Sequence, residues 1–292
     1  MCRGFLFCFM KILVTGGAGF IGSHLIESLV SLNHEVYSLD NYFSGTIDNH
    51  IDGANYIQGD TKDISILIGF VPDVVYHLGE YSRVEQSFED ISLVYQSNKI
   101  GTFEVIRFCQ LNGCKLVYAG SSTKFGDGGL GRDQSPYAWT KATNTELVVN
   151  YGRWFGLKYA ITYFYNVYGP REISSGPYAT LIALFMERVK QGLSLTIVSP
   201  GSQVRNFTHV SDIVSGLLLV GFHGEGDEYG IGSDEAYSIL EIADLFSHPI
   251  EFLPERPGNR MSASVYSNKT KALGWSAKHS ISDYINEFKS SL

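Results

Sequence analysis

Three glycines at fixed spacing join a short apolar strand to a helix near the start of the chain. The segment reads K-I-L-V-T-G-G-A-G-F-I-G-S-H-L from residue 11. Gly16 permits the sharp turn after the strand, Gly19 leaves the backbone open to a close ligand, and Gly22 lets the helix pack against the strand. The helix then turns its free N–H groups and the positive end of its dipole toward that ligand. The pattern predicts a loop that holds the pyrophosphate of a dinucleotide, with a plain strand-to-helix turn as the alternative.

Asp40 is the acidic residue that such a loop requires further along the chain. It ends the next apolar strand, eighteen positions after Gly22. A carboxylate at that place accepts hydrogen bonds from the adenosine ribose and repels a 2′-phosphate. Residues 41–45 contain no arginine that would bind such a phosphate, so NAD is predicted rather than NADP. The alternative is an Asp that only caps the turn after its strand.

The composition limits the kinds of partner that the protein can have. The 292 residues carry a net charge of −8 and are 44% hydrophobic. An acidic chain without a basic run is not expected to bind nucleic acid or an anionic membrane, and no stretch has the length of a membrane-spanning helix. The spacing of Cys2, Cys8, Cys109 and Cys114 fits neither a disulfide framework nor a zinc site. We therefore expect no metal and a reducing, cytoplasmic compartment.

The first ten residues resemble a signal peptide superficially, with one arginine followed by an apolar run. They continue directly into the first predicted strand without a small-residue cleavage site, so removal is not expected. A translation start at Met10 would leave a complete fold, and we expect the preceding residues to be an appendage.

Short apolar strands alternate with amphipathic helices along the first half of the chain. Strands are predicted at 11–15, 35–39, 55–57, 73–78, 115–119 and 158–165, and helices at 21–32, 91–111 and 137–155. This alternation predicts an α/β fold with a doubly wound parallel sheet of the Rossmann type. Segments rich in Gly, Pro and Ser follow, as expected of substrate-binding loops. We expect residues 1–165 and 209–232 to form the dinucleotide domain, and 166–208 and 233–292 a smaller α/β substrate-binding part.

Tyr137 and Lys141 lie four positions apart in a predicted helix and therefore share one of its faces. An ammonium group beside a phenol favours the phenolate, which can take a proton from a sugar hydroxyl. Tyr95 and Lys99 have the same spacing, so spacing alone does not identify a catalytic pair. Tyr137 is preferred because it follows the fifth strand and a cluster of hydroxyl residues around Ser121.

Ser121, Ser122 and Thr123 form that hydroxyl cluster at the carboxyl end of the fifth strand. Ligands of open α/β sheets bind at this edge. A hydroxyl there can share the substrate proton with Tyr137. The alternative is a Ser/Thr turn whose hydroxyls satisfy their own backbone.

Taken together, these motifs resemble those of the extended short-chain dehydrogenase/reductase family, in particular its nucleotide-sugar epimerases and dehydratases, over nearly the whole chain. They occur here as the 16–22 loop, Gly59-Asp60, Tyr76-His-Leu78, the Ser121 cluster, Tyr137 with Lys141, Asn166-Val-Tyr-Gly-Pro170 and Arg205-Asn-Phe-Thr-His-Val-Ser-Asp212. The resemblance implies NAD as cofactor, a nucleotide-diphosphate sugar as substrate, and a place in polysaccharide biosynthesis. It also implies a homodimer formed through the helices at 91–111 and 137–155.

The resemblance assigns roles to individual residues. Ser121 becomes the hydroxyl partner of Tyr137, Asp60 holds the adenine, and Lys141 also binds the nicotinamide ribose. The predicted cofactor-binding residues are Gly16, Gly19, Phe20, Ile21, Gly22, Asp40, Asn41, Asp60, Thr61, Leu78, Gly79 and Lys141. The predicted substrate-binding residues are Glu80, Arg83, Ser122, Thr123, Asn166, Arg205 and Arg256. Separated arginines suit a diphosphate because each guanidinium offers paired donors to phosphate oxygens.

Several departures from the family pattern affect the substrate more than the fold. The loop between Ser121 and Tyr137 is short, which predicts a reshaped or more open sugar pocket. Glu80 and Arg83 place unusual charges on the nicotinamide side of the site. Asn206 and Asn259 stand where the family often has Asp.

The sequence therefore predicts an enzyme that oxidises a nucleotide sugar at C4, most simply as a 4-epimerase. A 4-dehydrogenase or 4-ketoreductase is the alternative with net redox change. A 4,6-dehydratase is disfavoured, because Ser122 and Thr123 replace the Asp-Glu pair of those enzymes. A non-catalytic dinucleotide-binding module would not need the Ser121, Tyr137 and Lys141 set.

Overall fold

The computed structural model describes residues 9–125, 127–255 and 265–292. Of the residues singled out above, Cys2, Cys8, Arg256 and Asn259 lie outside these ranges, as does most of the apolar leader.

Strands alternate with helices through the first half of the described chain. The strands are β1 (Lys11–Thr15), β2 (Glu35–Asp40), β3 (Ala54–Gln58), β4 (Val74–His77), β5 (Lys115–Ser121), β6 (Tyr159–Phe164), β7 (Val167–Tyr168), β8 (Leu195–Val198), β9 (Val204–Asn206), β10 (Thr208–His209), β11 (Gly226–Ile231), β12 (Ala236–Ser238) and β13 (Ile250–Leu253). The α-helices are α1 (Phe20–Ser31), α2 (Ile64–Leu67), α3 (Ile91–Val94), α4 (Thr102–Asn112), α5 (Pro136–Phe155), α6 (Leu181–Lys190), α7 (Val210–His223), α8 (Ile239–Phe246), α9 (Asn268–Ala272) and α10 (Ile281–Ser290).

Within the described residues, seven parallel strands form the main sheet in the order β3-β2-β1-β4-β5-β6-β11. The predicted doubly wound parallel sheet is confirmed. The strand order reverses direction between β1 and β4, and ligands of such sheets bind at the carboxyl ends of the strands beside this switch.

The predicted elements of the first half are present, with small shifts at their ends. The predicted helix at 91–111 consists of α3, a π-helical segment (Tyr95–Gly101) and α4. Strand β5 continues two residues beyond the predicted end because its pairing with β6 extends to Ser121 opposite Phe164. Tertiary pairing here overrides the weak strand preference of glycine. Ser121 is consequently the last residue of the strand.

Side chains alternate across the main sheet and form an apolar layer on each face. Leu13 faces the side covered by α4 and α5, whereas Ile12 and Val14 face α1 and α7. A separate core in the C-terminal part contains Phe185 and Ile285. Two-stranded sheets support that part, namely β10 with β7, β12 with β9 and β13 with β8. Strand β11 returns to the main sheet beside β6, and the division into two functional domains stays a prediction.

The described surface bears on two further expectations. Among the described residues, no helix is long and apolar enough to cross a membrane. Exposed apolar side chains lie on the continuous helical segment 91–112 and on α5. They are Ile91, Tyr95 and Phe103 on the former and Trp154 on the latter. These are the helices on which the homodimer was expected, and the homodimer stays a prediction.

His77 joins the sheet to the helix layer at the end of β4. Its Nδ1 lies 2.7 Å from Thr15 Oγ1 and its Nε2 lies 2.9 Å from Thr102 Oγ1. Thr102 Oγ1 gives its one proton to Glu80 Oε1 at 2.7 Å and therefore accepts from His77 Nε2–H, which leaves Nδ1 to accept from the Thr15 hydroxyl. The ring is fully buried, and burial lowers the pKa of His77 to about 4. His77 is therefore neutral in the folded protein near pH 7.

We expect His77 to make folding sensitive to acid. Between pH 6.5 and about 4 the unfolded chain binds a proton at this histidine that the folded chain does not. The free energy of unfolding should therefore fall with decreasing pH in that window, by up to about 1.4 kcal/mol per pH unit from this group. Urea unfolding of the wild type and His77→Gln at both ends of the window measures the effect. The variant should lose less stability on acidification, and equal losses would contradict the assignment.

Candidate active site

A cavity of about 750 Å³ opens at the carboxyl ends of β1, β4, β5 and β6, between the main sheet and the C-terminal part. Every predicted site residue within the described ranges lines it, namely Gly16, Gly19, Phe20, Ile21, Gly22, Asp40, Asn41, Asp60, Thr61, Leu78, Gly79, Glu80, Arg83, Ser121, Ser122, Thr123, Tyr137, Lys141, Asn166 and Arg205. Residues up to 189 positions apart thus meet around one space. Arg256 lies outside the described residues.

The three glycines of the first loop have different surroundings. Gly16 has φ of +73°, and a Cβ there would lie 2.8 Å from backbone atoms of Gly79. A Cβ on Gly22 would lie 2.1 Å from the Gly16 carbonyl oxygen. Both positions therefore need glycine for packing. A Cβ on Gly19 would have one protein atom within 4 Å, the Gly16 carbonyl oxygen at a tight 3.2 Å, and its surroundings are otherwise open.

Helix α1 begins beside that open space. Among the described residues, no side chain caps its start at Gly19. Its first N–H groups therefore remain available to an anion, whose charge the helix dipole favours. The space over Gly19 and these donors fit the pyrophosphate of NAD.

Asp40 caps its turn and also lines the cavity. Its Oδ2 accepts from the Ala18 N–H at 2.9 Å and its Oδ1 from the Tyr42 N–H at 2.8 Å. Burial raises the pKa of Asp40, against the effect of these two hydrogen bonds. Each oxygen keeps a second lone pair for a ribose hydroxyl. Asp40 therefore caps the turn after β2, and its contact with the ribose stays a prediction.

Tyr137 lies within hydrogen-bonding distance of the hydroxyl cluster. Its OH is 3.3 Å from Ser121 Oγ, which in turn is 2.8 Å from Thr123 Oγ1. Ser135 fixes this geometry because its Oγ accepts from the Ala138 N–H at 3.1 Å and starts α5 just before Tyr137. The expected convergence of Ser121 and Tyr137 is present in the structure.

Lys141 forms a buried ion pair with Glu80. The lysine Nζ contacts Glu80 Oε2 and also the Ala119 carbonyl oxygen. The two side chains are 6% and 3% exposed. Burial alone would raise the pKa of Glu80, but the Lys141 charge and the hydrogen bonds to the carboxylate lower it overall. Glu80 is therefore the ionised counter-ion of the predicted catalytic lysine.

Three further donors hold the second oxygen of Glu80. Its Oε1 accepts from Thr102 Oγ1 at 2.7 Å, from Asn144 Nδ2 at 3.1 Å and from Tyr118 OH at 3.2 Å. These partners come from α4, α5 and β5. No local pattern in the sequence indicates this arrangement, because Glu80 and Lys141 are separated by 61 positions.

Asn166 and Arg205 line the same cavity and come from the second half of the chain. Asn166 has φ of +33°, and its Nδ2 donates to the Asn206 carbonyl oxygen at 3.1 Å. Asn206 in turn donates through Nδ2 to the carbonyl oxygens of Ser233 and Glu235 at 3.0 and 3.2 Å. An Asp side chain has no N–H for these two bonds. The departure from the family pattern at Asn206 thus has a local structural reason.

Tyr178 and Glu172 also line the cavity and were missed from the sequence. The Tyr178 carbonyl oxygen accepts from Arg83 Nε at 2.8 Å and from Arg83 Nη2 at 2.5 Å. Tyr178 OH and Tyr81 OH donate to the same oxygen of Asp90, at 2.7 and 2.8 Å. Both of these residues lie in a segment rich in Gly, Pro and Ser. That composition, which is typical of substrate-binding loops, was the one feature of the sequence that could have indicated them.

Tyr95 and Lys99, the second pair at the same spacing, do not line this cavity. Tyr95 is 49% exposed, and Lys99 Nζ donates to Asn144 Oδ1 at 2.7 Å. The preference for Tyr137 over Tyr95 therefore agrees with the placement of the two tyrosines.

Comparison with known proteins gives one consistent family. The family model described as "NAD dependent epimerase/dehydratase family" matches residues 12–232. A putative UDP-glucose 4-epimerase of Methanocaldococcus jannaschii is 31% identical over 90% of this chain and 92% of its own. UDP-glucuronic acid decarboxylase 6 of Arabidopsis thaliana is 29% identical over 92% of this chain and 84% of its own.

A solved structure agrees with this result. The UDP-glucose 4-epimerase of Thermus thermophilus, a crystal structure in complex with NAD, superimposes with a TM-score of 0.86. It is 29% identical and covers 97% of this chain and 100% of its own. The names of these relatives all refer to UDP-linked sugars. Their named reactions differ, because two are 4-epimerases and one is a decarboxylase.

The open space over Gly19 leads to a prediction about NAD binding. A methyl group there would press on one protein atom, the Gly16 carbonyl oxygen at 3.2 Å, so Gly19→Ala should lower the free energy of unfolding by about 1 kcal/mol. The same methyl group would occupy the pyrophosphate position, and NAD should bind more than about tenfold more weakly. Calorimetric titration with NAD measures this. Gly69→Ala, at an exposed glycine with open space around it, is the control. Wild-type affinity in Gly19→Ala would show that the pyrophosphate binds elsewhere.

The contributions of Glu80 and Lys141 to the free energy of unfolding should depend strongly on each other. Glu80→Gln leaves a buried ammonium without its counter-ion and should cost about 3 kcal/mol of unfolding free energy. Glu80→Gln combined with Lys141→Met should cost less than the sum of the single changes. Asp234→Asn, which breaks an exposed ion pair with Lys271, should cost less than about 1 kcal/mol. Additive costs at Glu80 and Lys141 in urea unfolding would rule out the coupling.

Proposed function

The chain belongs to the NAD dependent epimerase/dehydratase family and is an NAD-dependent enzyme that modifies nucleotide sugars, and we propose that it is a nucleotide-sugar 4-epimerase. The observation that carries this proposal is the contact of Tyr137 OH with Ser121 Oγ, one helical turn before Lys141. These groups line a cavity whose volume is typical of small-molecule sites.

The cofactor would be held by residues from three strand ends. Gly16, Gly19 and Gly22 would receive the pyrophosphate, Asp40 the adenosine ribose, and Asp60 the adenine. When bound, NAD supplies the acceptor and donor of a hydride at the sugar carbon.

Tyr137 would act as the general base for the sugar hydroxyl at C4. Its oxygen would take the hydroxyl proton, while Ser121 Oγ would hold the sugar oxygen in line with it. Lys141, one helical turn further along α5 and held by Glu80, would bind the nicotinamide ribose. On return of hydrogen to the ring carbon, Tyr137 would give the proton back, so that no net oxidation occurs.

The substrate would be anchored at its diphosphate. Asn166 and Arg205 lie in the cavity wall contributed by the second half of the chain. A guanidinium group offers paired donors to phosphate oxygens. Arg256 is proposed as a further partner. With the diphosphate fixed there, the sugar ring would be free to present either face to Tyr137.

Dehydration is disfavoured by the residues after Ser121. A 4,6-dehydratase needs acidic groups beside the catalytic hydroxyl to move protons during the loss of water. Ser122 and Thr123 occupy those places, and the Thr123 hydroxyl is hydrogen-bonded to Ser121. A non-catalytic module is disfavoured because Tyr137, Ser121 and Lys141 are assembled in one cavity.

Product analysis tests the proposed reaction. The purified protein is incubated with a panel of nucleotide sugars, and products are identified by NMR and mass spectrometry. A product of unchanged mass with inverted C4 supports the epimerase. Accumulated keto sugar with lasting reduced nicotinamide would favour the 4-dehydrogenase, and loss of carbon dioxide would favour a decarboxylase. The homodimer, the cytoplasmic location and the role in polysaccharide biosynthesis stay predictions.

Loss of the phenolic hydroxyl should abolish turnover. Tyr137→Phe removes the proposed base without altering the helix, so turnover should fall about a thousandfold while the unfolding midpoint stays near the wild-type value. Tyr95→Phe is the matched control, because it has a lysine at the same spacing but lies outside the cavity. Substantial turnover in Tyr137→Phe would exclude Tyr137 as the base.

A further inference from the structure

Arg83 lies in the cavity wall with neutral hydrogen-bond partners. Its Nε and Nη2 both donate to the Tyr178 carbonyl oxygen, and its Nη1 donates to the Ser82 carbonyl oxygen at 3.2 Å and to Ser82 Oγ at 3.3 Å. These bonds orient the guanidinium group without neutralising its charge. Nη2 uses one N–H on Tyr178 and has a second to offer.

Among the described residues, no carboxylate lies within 4 Å of Arg83 as an ion-pair partner. By contrast, Arg132 pairs with Glu146 at 2.7 Å and Arg171 pairs with Glu27 at 2.9 Å on the surface. Burial lowers the pKa of Arg83, which reflects the cost of holding this charge away from water. A cation in such a position is stabilised when an anion binds beside it.

The acidic groups around Arg83 are already engaged. The Glu80 carboxylate is paired with Lys141, and Asp90 accepts from two tyrosine hydroxyls. Glu172 Oε2 accepts from the Gly169 N–H at 2.8 Å, and burial raises the pKa of Glu172 to about 7. Near pH 7 Glu172 is therefore a weak counter-ion for Arg83. Among the described residues, none of these three carboxylates forms an ion pair with Arg83.

The position of Arg83 assigns this charge to the sugar end of the cavity. Arg83 follows β4 by six residues and lies three residues after Glu80, the partner of Lys141, which stands one helical turn from Tyr137. Arg205, proposed for the diphosphate, lies on β9 in the C-terminal part. The two arginines therefore reach the cavity from different parts of the chain.

We propose that Arg83 binds a carboxylate on the sugar ring, so that the substrate is a nucleotide-linked uronic acid rather than a neutral sugar. This inference rests on the proposed function, since it specifies the sugar that Tyr137 would act on. A guanidinium group recognises a carboxylate through short charge-assisted hydrogen bonds. A diphosphate is the other anion that Arg83 could meet, and it is common to acidic and neutral nucleotide sugars.

Matched substrates separate these two anions. UDP-glucuronate and UDP-glucose share the nucleotide and diphosphate and differ in the carboxylate at C6. We expect the wild type to convert UDP-glucuronate with a kcat/KM about 100-fold above that for UDP-glucose. Arg83→Gln should remove most of this preference by raising KM for UDP-glucuronate, with little change for UDP-glucose. Arg83→Lys should restore part of it, because it retains the charge.

Tyr178→Phe is the control for a purely structural role. It breaks the hydrogen bond to Asp90 in the same loop but keeps the carbonyl oxygen that holds Arg83. The preference for UDP-glucuronate should survive in this variant even if both rates fall.

The outcomes distinguish the inference from the proposed function. Equal loss for both sugars in Arg83→Gln would assign Arg83 to the diphosphate or to folding, and would overturn the inference while leaving the 4-epimerase proposal intact. A wild-type preference for UDP-glucose would do the same. A protein that converts neither of these sugars would overturn the carboxylate inference, whereas the proposed function is overturned only if no sugar of the wider nucleotide-sugar panel is converted.

Discussion

The buried ion pair between Glu80 and Lys141 is the interaction on which the arrangement of the site depends. It joins the loop after β4 to the helix that presents Tyr137. A charge held away from water needs both its counter-ion and its hydrogen bonds. Glu80 obtains the latter from α4, α5 and β5, and the layers around the sheet edge are thereby held in one relative position.

The same network reaches the cofactor loop. Thr102 bonds to both Glu80 and His77, and His77 bonds to Thr15, the last residue of β1 before the glycine turn. A continuous hydrogen-bonded path therefore runs from Lys141 to the segment that would hold NAD. Because each member is buried, removing one leaves another without a partner. These mutual hydrogen bonds are the reason that a row of polar side chains is stable between two apolar layers.

Local patterns predicted much of this protein correctly. The alternation of strands and helices predicted the parallel sheet. The carboxyl ends of its strands indicated where the side chains of the site would converge. Tyr137 was distinguished from Tyr95 by its place after the hydroxyl cluster. The end of β5 was predicted two residues early, because pairing with β6 decides that boundary. Glu80 was assigned to substrate from its position alone, without its ion pair.

The sequence by itself determined the glycine turn, the strand that ends at Asp40, and the shared face of Tyr137 and Lys141, because these depend on neighbours within a few residues. The tertiary structure alone decided that Lys141 meets Glu80 and that Arg83 meets the Tyr178 carbonyl oxygen, 95 positions away. Such pairs form when crossover connections bring separate strand ends to one edge of the sheet. The balance of charge in the cavity follows from that packing, since a side chain's net effect depends on which opposite charge lies beside it.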